Sequence, residues 1–273
     1  MESAKGIKEV VRDKYTEIVK QAEEKENSTG CCGTTGCCGS SENDYSVFND
    51  NYSELEGYVA EADLNLGCGI PTEYAAIKKG DTVVDLGSGA GNDVFVARVL
   101  VGNEGKVIGV DFTEEMLKKA NQNNKKLGYN NIEFKFGEIE NIPIEADEID
   151  VVISNCVLNL VPDKAKAFSE VYRVLKPGGH FCVSDIVLIG ELPDGLKKSA
   201  SMYAGCVSGA SQKEEYLSHI YNTGFSKVEI KTTKGIQLPD DLIKEHLSND
   251  ELQLFRESEI GIFSITVVGF KES

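Results

Sequence analysis

"VVDLGSGAGND", residues 83 to 93, decides the fold. An apolar, β-branched run ends on Asp85, and Gly87, Gly89 and Gly91 then fill the turn ahead of a helical run, "NDVFVARVLV". Glycines let a backbone come close to a ligand, and a helix start offers unpaired N–H groups to it. Twenty positions beyond Gly91, Asp111 closes the next strand, "KVIGVDF", where an acid suits ribose hydroxyls. A tight turn would explain the glycines alone. It does not explain an acid at each strand end.

Working outward, strand and helix keep alternating. "TEEMLKKANQNNKKLG" opens on Thr113 as N-cap, has acids in its first turn and closes on Gly128. "IEFKFG", "IDVVIS" and "HFCVSDIV" continue the strands, and "DKAKAFSEVYRVL" reads as a helix stopped by "KPGG". This alternation predicts an α/β, doubly wound, mostly parallel sheet with ligands at the strand C-termini. Residues 7 to 25 have helical periodicity, and a Gly/Ser/Thr/Cys-rich linker runs on to about residue 42. Residues 188 to 224 read as helical and loop-rich, and "SKVEIKTTK" and "IFSITVVGFK" as two final strands. Between these lies an exposed helical segment, "PDDLIKEHLSNDELQLFRES". The expected organisation is a helix and linker over 1–42, a ligand-binding core over 43–187, and an insertion plus closing strands over 188–273.

The chain has 273 residues, of which 41% are hydrophobic and 27% charged, as in a soluble globular protein. A net charge of −17 disfavours nucleic acid and anionic membranes as partners, yet leaves a neutral substrate unaffected. The N-terminal stretch lacks the apolar core of a signal peptide, so a cytoplasmic location is expected. Eight cysteines in such a compartment are expected to be reduced, and are candidates for soft ligands before disulfides.

A carboxylate ahead of the first glycine suits a ligand with an ammonium group and repels a pyrophosphate. S-adenosylmethionine, with its amino-acid tail, ribose and sulfonium, fits better than a dinucleotide. Through "VVDLGSGAGND", "GVDFTEEML", "GEIENIPI" and "EVYRVLKPGGHFCVSDI", residues 81–187 resemble the class I S-adenosylmethionine-dependent methyltransferases. The resemblance implies a Rossmann-like seven-stranded sheet with an antiparallel last strand and a helical substrate-binding insertion. It also implies a donor site of Asp85, Gly87, Ser88, Gly89, Gly91, Asp111, Phe112 and Met116, with Glu138, Ile139 and Glu140 at the adenine. Asn155 either borders the transfer pocket or caps its strand.

Cys156 then falls just past the fourth strand, Cys68 in a loop ahead of the first, and Cys206 in the insertion. Taken singly each reads as a small buried hydrophobe, and Cys182, inside a strand, keeps that reading. Together, "GCGIP", "SNCVLNL" and "YAGCVSGA" resemble the arsenite methyltransferases, with Ile70 a departure where that family often has asparagine. The resemblance implies methyl transfer from S-adenosylmethionine to trivalent arsenic on Cys68, Cys156 and Cys206, giving mono- or dimethylated arsenicals. The substrate would be arsenite or its thiol conjugates, and the reductant glutathione or a thioredoxin. Cys31, Cys32, Cys37 and Cys38 are either an arsenic-loading site or a linker that binds soft metals incidentally. Two other functions stay open: a methyltransferase acting on C or O of a quinone or sterol precursor, and a non-catalytic arsenic-sequestering protein.

Overall fold

Hydrophobic strands alternate with amphipathic helices because each parallel strand must be covered on both faces. The computed structural model describes residues 4–28, 50–191, 209–236, 244, 247–257 and 260–273. Its parallel strands are β1 (Thr82–Leu86), β2 (Lys106–Asp111), β3 (Ile132–Phe136), β4 (Ile149–Asn155) and β5 (Leu175–Ile189). β7 (Ser226–Gly235) and β8 (Gly261–Phe270) complete an order of β3-β2-β1-β4-β5-β8-β7, with β8 antiparallel to both neighbours. The expected seven strands are joined by an eighth, the two-residue β6 (Ser211–Gln212), on the end of β5.

The pleat sorts side chains to two cores. Val84, Leu86 and Val152 face a cluster with Phe168 and Val171 of α5 (Lys164–Val174) and Tyr216 and Ile220 of α6 (Lys213–Thr223). Val83, Val151 and Ile153 face the opposite way, onto Val94, Ala97 and Val101 of α3 (Asn92–Val101). Parallel register then fixes the functional edge: Leu86 pairs with Val110 and Ser154, and Asn155 with Ser184. Asp85, Asp111, Asn155 and Asp185 thereby gather at one end of the sheet.

α4 (Glu114–Leu127) carries Glu114 and Glu115 in its first turn, Lys125 and Lys126 in its last, and Gly128 left-handed at its C-cap. Thr113 takes the N-cap position, but its side chain makes no capping bond. α5 ends at Val174, and "KPGG" is the start of β5. α1 (Ala4–Ser28) contacts α4, and the short α2 (Pro71–Tyr74) follows the Cys68 loop. The segment expected to be exposed is only partly so. Around α7 (Asn249–Glu257), Leu247, Leu252 and Phe255 pack in one cluster with Val11 of α1, Cys68 and Cys156. Apolar side chains at helical spacing give no hint of which surface they cover, so the sequence could not show that this helix roofs the thiols. Among the described residues no helix is long and apolar enough to cross a membrane.

Candidate active site

The glycine loop leaves β1 with Gly87 at φ +71°, and a Cβ there would meet Val157 at 2.5 Å. Only glycine meets both demands. Asp111 ties the loop down: one oxygen accepts from Gly89 N–H (2.9 Å) and the other from Thr113 N–H (2.8 Å). Asp85, Asp93 and Asp111 are all buried here. Burial, then the charges of Asp93 and Asp111, push Asp85 well above the usual carboxylate range. Burial also raises Asp111, against the backbone N–H groups that bond it. Three buried acids facing one space favour a cationic ligand. Ser88 Oγ and Asn92 Oδ1 border the same space, buried and without a protein partner, each awaiting a hydrogen bond worth about 1–3 kcal/mol to satisfy.

Burial pushes Asp93 up to about 6, partly opposed by hydrogen bonds from Asn155 and Tyr52. A raised folded-state value means the proton is held more tightly in the fold. Stability from this group is therefore complete below the ordinary 3.8 and lost as pH climbs through about 6. Asp93→Asn is expected to flatten that slope, so urea unfolding at pH 4.5 and 7 should show wild type losing ground to the variant. Parallel stability curves would contradict it.

Cys156 follows β4 in the left-handed region, at φ +59°, with its N–H donating to the Ser184 carbonyl at 2.8 Å. Cys68 lies opposite. Its N–H donates to Asn155 Oδ1 (3.0 Å), and its carbonyl accepts from the Ser264 hydroxyl. Asn155 Nδ2 donates to the Tyr52 hydroxyl (2.8 Å) and the Gly69 carbonyl (2.8 Å), while Tyr52 donates to Asp93 Oδ1 (2.9 Å). The glycines beside Cys68 are required by space. A Cβ would come within 2.8 Å of the Asn155 amide at Gly67 and 2.5 Å of Ser184 Oγ at Gly69.

The two sulfurs are not alone. Cys68 Sγ, Cys156 Sγ and an Asp185 carboxylate oxygen lie within 4.8 Å of one another, all buried. Asp185 Oδ1 accepts from Ile186 N–H (3.0 Å) and Oδ2 from the Tyr216 hydroxyl (3.2 Å). Burial pushes this carboxyl up to about 7 despite those bonds and the Lys164 charge. Cys182 is apart, donating to the Pro71 carbonyl at 3.2 Å with its thiol pushed up to about 12 by burial. It belongs to the core, as its strand position suggested.

A cleft runs from the glycine loop to Cys156; Cys68 and Asp185 are not among its lining residues. Of the expected residues, Asp85, Gly87, Ser88, Gly89, Asp111 and Phe112 line it, as do Met116, Ile139, Asn155 and Cys156. Gly91 does not; it opens α3, where a Cβ would strike the Phe95 ring at 2.8 Å. Glu138 and Glu140 are also absent from the lining, each paired with Lys8 of α1 at 2.8 and 2.7 Å. Cys206, Cys31, Cys32, Cys37 and Cys38 lie outside the described residues. Tyr52, Asp93 and Asp185 were missed. An acid inside the apolar run "HFCVSDIV" was the one legible signal for Asp185.

Comparison with known proteins agrees with this architecture. The arsenite methyltransferase of Halobacterium salinarum is 41% identical over 235 residues, 82% of this chain and 58% of that one. A demethylmenaquinone methyltransferase of Oceanobacillus iheyensis is 32% identical over 58% of this chain and 75% of its own. A crystal structure of an arsenic (III) S-adenosylmethionine methyltransferase from Chlamydomonas reinhardtii superposes with a TM-score of 0.64. It is 36% identical, over 76% of this chain and 68% of that one. The chain spans about half the length of the first curated relatives it matches, 58%, 54% and 42%. A model described as "Methyltransferase domain" matches residues 77–224. Matched over more than half its length, with that fold and a glycine-lined cleft, this chain belongs to the methyltransferase-domain family.

Proposed function

We propose that this protein is an arsenite methyltransferase, carrying methyl from S-adenosylmethionine to trivalent arsenic held by cysteine thiols. The observation that carries this is the convergence of Cys68 and Cys156, within 4.8 Å, where Cys156 borders the cleft of the glycine loop. Bound S-adenosylmethionine supplies an electrophilic methyl group on a sulfonium. Asp85 would face its ammonium, Asp111 its ribose, and the unpartnered Ser88 and Asn92 atoms its polar groups. The buried acids suit its positive charge.

Arsenous acid is neutral and soft, so the −17 charge does not repel it and thiols take it from water. Arsenic bound through sulfur keeps a lone pair and has no proton to lose, so no general base is required. The chain's contribution is position, worth up to about 7–11 kcal/mol. Cys206 is the third thiol in this proposal, from the family resemblance. A reducing cytoplasm, with glutathione or a thioredoxin as reductant, would keep Cys68 and Cys156 as thiols; among the described residues neither is in a disulfide. Quinone methylation is the second reading, favoured by the relative from Oceanobacillus iheyensis. It leaves the thiol pair without a role.

Purified protein, arsenite, methyl-labelled donor and a thiol reductant test both. Labelled arsenicals are expected; arsenite binding without turnover, or label on a naphthoquinone alone, would contradict the proposal. Methyl transfer would spend the arsenic lone pair, release S-adenosylhomocysteine and leave arsenic pentavalent. Attack of a reductant thiolate on the Cys68 sulfur would then form a mixed disulfide and return the As–S electron pair to arsenic, so Cys156 and Cys206 would keep the trivalent monomethyl species. Cys68→Ser should then abolish methylation of arsenite and spare that of monomethylarsenite. Equal loss of both products by arsenic speciation would refute the order.

A further inference from the structure

We propose that Asp185 is a substrate-binding residue: arsenite is first captured as a dithiol adduct on Cys68 and Cys156, with its remaining hydroxyl donating to the Asp185 carboxylate. The proposal rests on the arsenite reading and deepens it. Three segments supply the atoms: the loop ahead of α2, the residue after β4, and the middle of β5. Separations of at most 4.8 Å are close to twice a metal–thiolate bond of about 2.3 Å, so one soft atom can bridge both sulfurs after small side-chain adjustments.

The third neighbour is an oxygen. An ionised carboxylate offers about four acceptor positions, and the bonds from the Ile186 and Asn159 N–H groups and the Tyr216 hydroxyl leave one of them. Those three bonds also hold the carboxylate in place. A fully buried acid beside two thiols adds nothing to apolar packing and costs desolvation. A hydroxyl donor on the incoming substrate offsets that cost.

The step balances without redox change. Arsenous acid carries three hydroxyls. Two As–S bonds form and two As–O bonds break, and each thiol proton leaves with a hydroxide as water. Arsenic stays trivalent and keeps one hydroxyl. Monomethylarsonous acid, with methyl in place of one hydroxyl, has none left after two thiols bind.

That difference is the test. Equilibrium dialysis uses the full chain with Cys31→Ser, Cys32→Ser, Cys37→Ser, Cys38→Ser and Cys206→Ser, leaving Cys68 and Cys156 as the thiol pair. Adding Asp185→Ala is expected to weaken arsenous acid about tenfold or more, the worth of a hydrogen bond to a charged group. Monomethylarsonous acid should stay within about twofold. Should the alanine variant fail to fold, Asp185→Asn keeps the shape and carries the same comparison, with arsenous acid weakened selectively. Equal weakening of both arsenicals assigns Asp185 a structural role through Tyr216 and overturns the proposal. So does an unchanged affinity for arsenous acid, or failure of the five-serine chain to bind either arsenical. None of these readings needs the methyl donor or turnover. Failure of wild type to methylate arsenite would sink the wider function while leaving the binding result standing.

Discussion

Cys156→Ser is expected to reduce methyl transfer to arsenite by about a thousandfold or more while donor binding survives. Serine fits the same space and can take the same φ of +59°, so the strand end and its bond to Ser184 persist. A non-glycine residue in that region costs about 1–3 kcal/mol, and such strain persists where the surroundings enforce it. Here the left-handed turn directs the side chain toward the cleft and Cys68. What serine lacks is softness: an alkoxide–arsenic bond exchanges readily with water, so arsenic is no longer held against the donor site. Losing one of two neighbouring anchors forfeits a large share of the positioning energy. Product analysis beside dialysis of the donor reads both quantities. Loss of donor binding with loss of product would mean instead that the cleft had collapsed.

Asn155→Ala is expected to cost about 2–4 kcal/mol of stability and at least about tenfold in turnover, although both thiols remain. One amide serves four groups. It accepts from Cys68 N–H and donates to Tyr52, the Gly69 carbonyl and Asp93. Alanine orphans several of these in a buried place. It also removes a donor that holds the Asp93 carboxyl down, so Asp93 should rise further. The Cys68 loop then loses its tie to β4. Asn155→Asp, nearly the same shape, should fare no better, since it adds a carboxylate among Asp85, Asp93 and Asp111. Urea unfolding and turnover assays check the pair; an alanine variant with wild-type turnover would show that Cys68 is placed by other contacts.

The fold was legible where local rules and global topology agree. The glycine turn, α3 and the C-cap at Gly128 sit where spacing put them, since each is fixed by a few neighbours in sequence. The convergence of Cys68 with Cys156 was foreshadowed by their places at one sheet edge and, more strongly, by the family resemblance of the segments that carry them. Contacts set by distant segments were not legible. Lys8 lies over Glu138 and Glu140 across about 130 residues, which no periodicity in either segment encodes. Leu252 and Phe255 roof the thiols from a helix that reads as exposed. Tyr52 stands in no motif. Asp93 stood in the deciding stretch itself and passed as an ordinary first-turn acid of α3, because its bonds to Tyr52 and Asn155 come from outside the run.

Arsenic X-ray absorption on the chain with Cys31, Cys32, Cys37 and Cys38 replaced by serine, loaded with one equivalent of arsenite, reads the arsenic neighbours directly. Sulfur scattering should be present, and Cys68→Ser and Cys156→Ser should each remove one sulfur. An arsenic shell of oxygen only, or a sulfur count that neither substitution changes, would contradict a substrate site built on these two thiols.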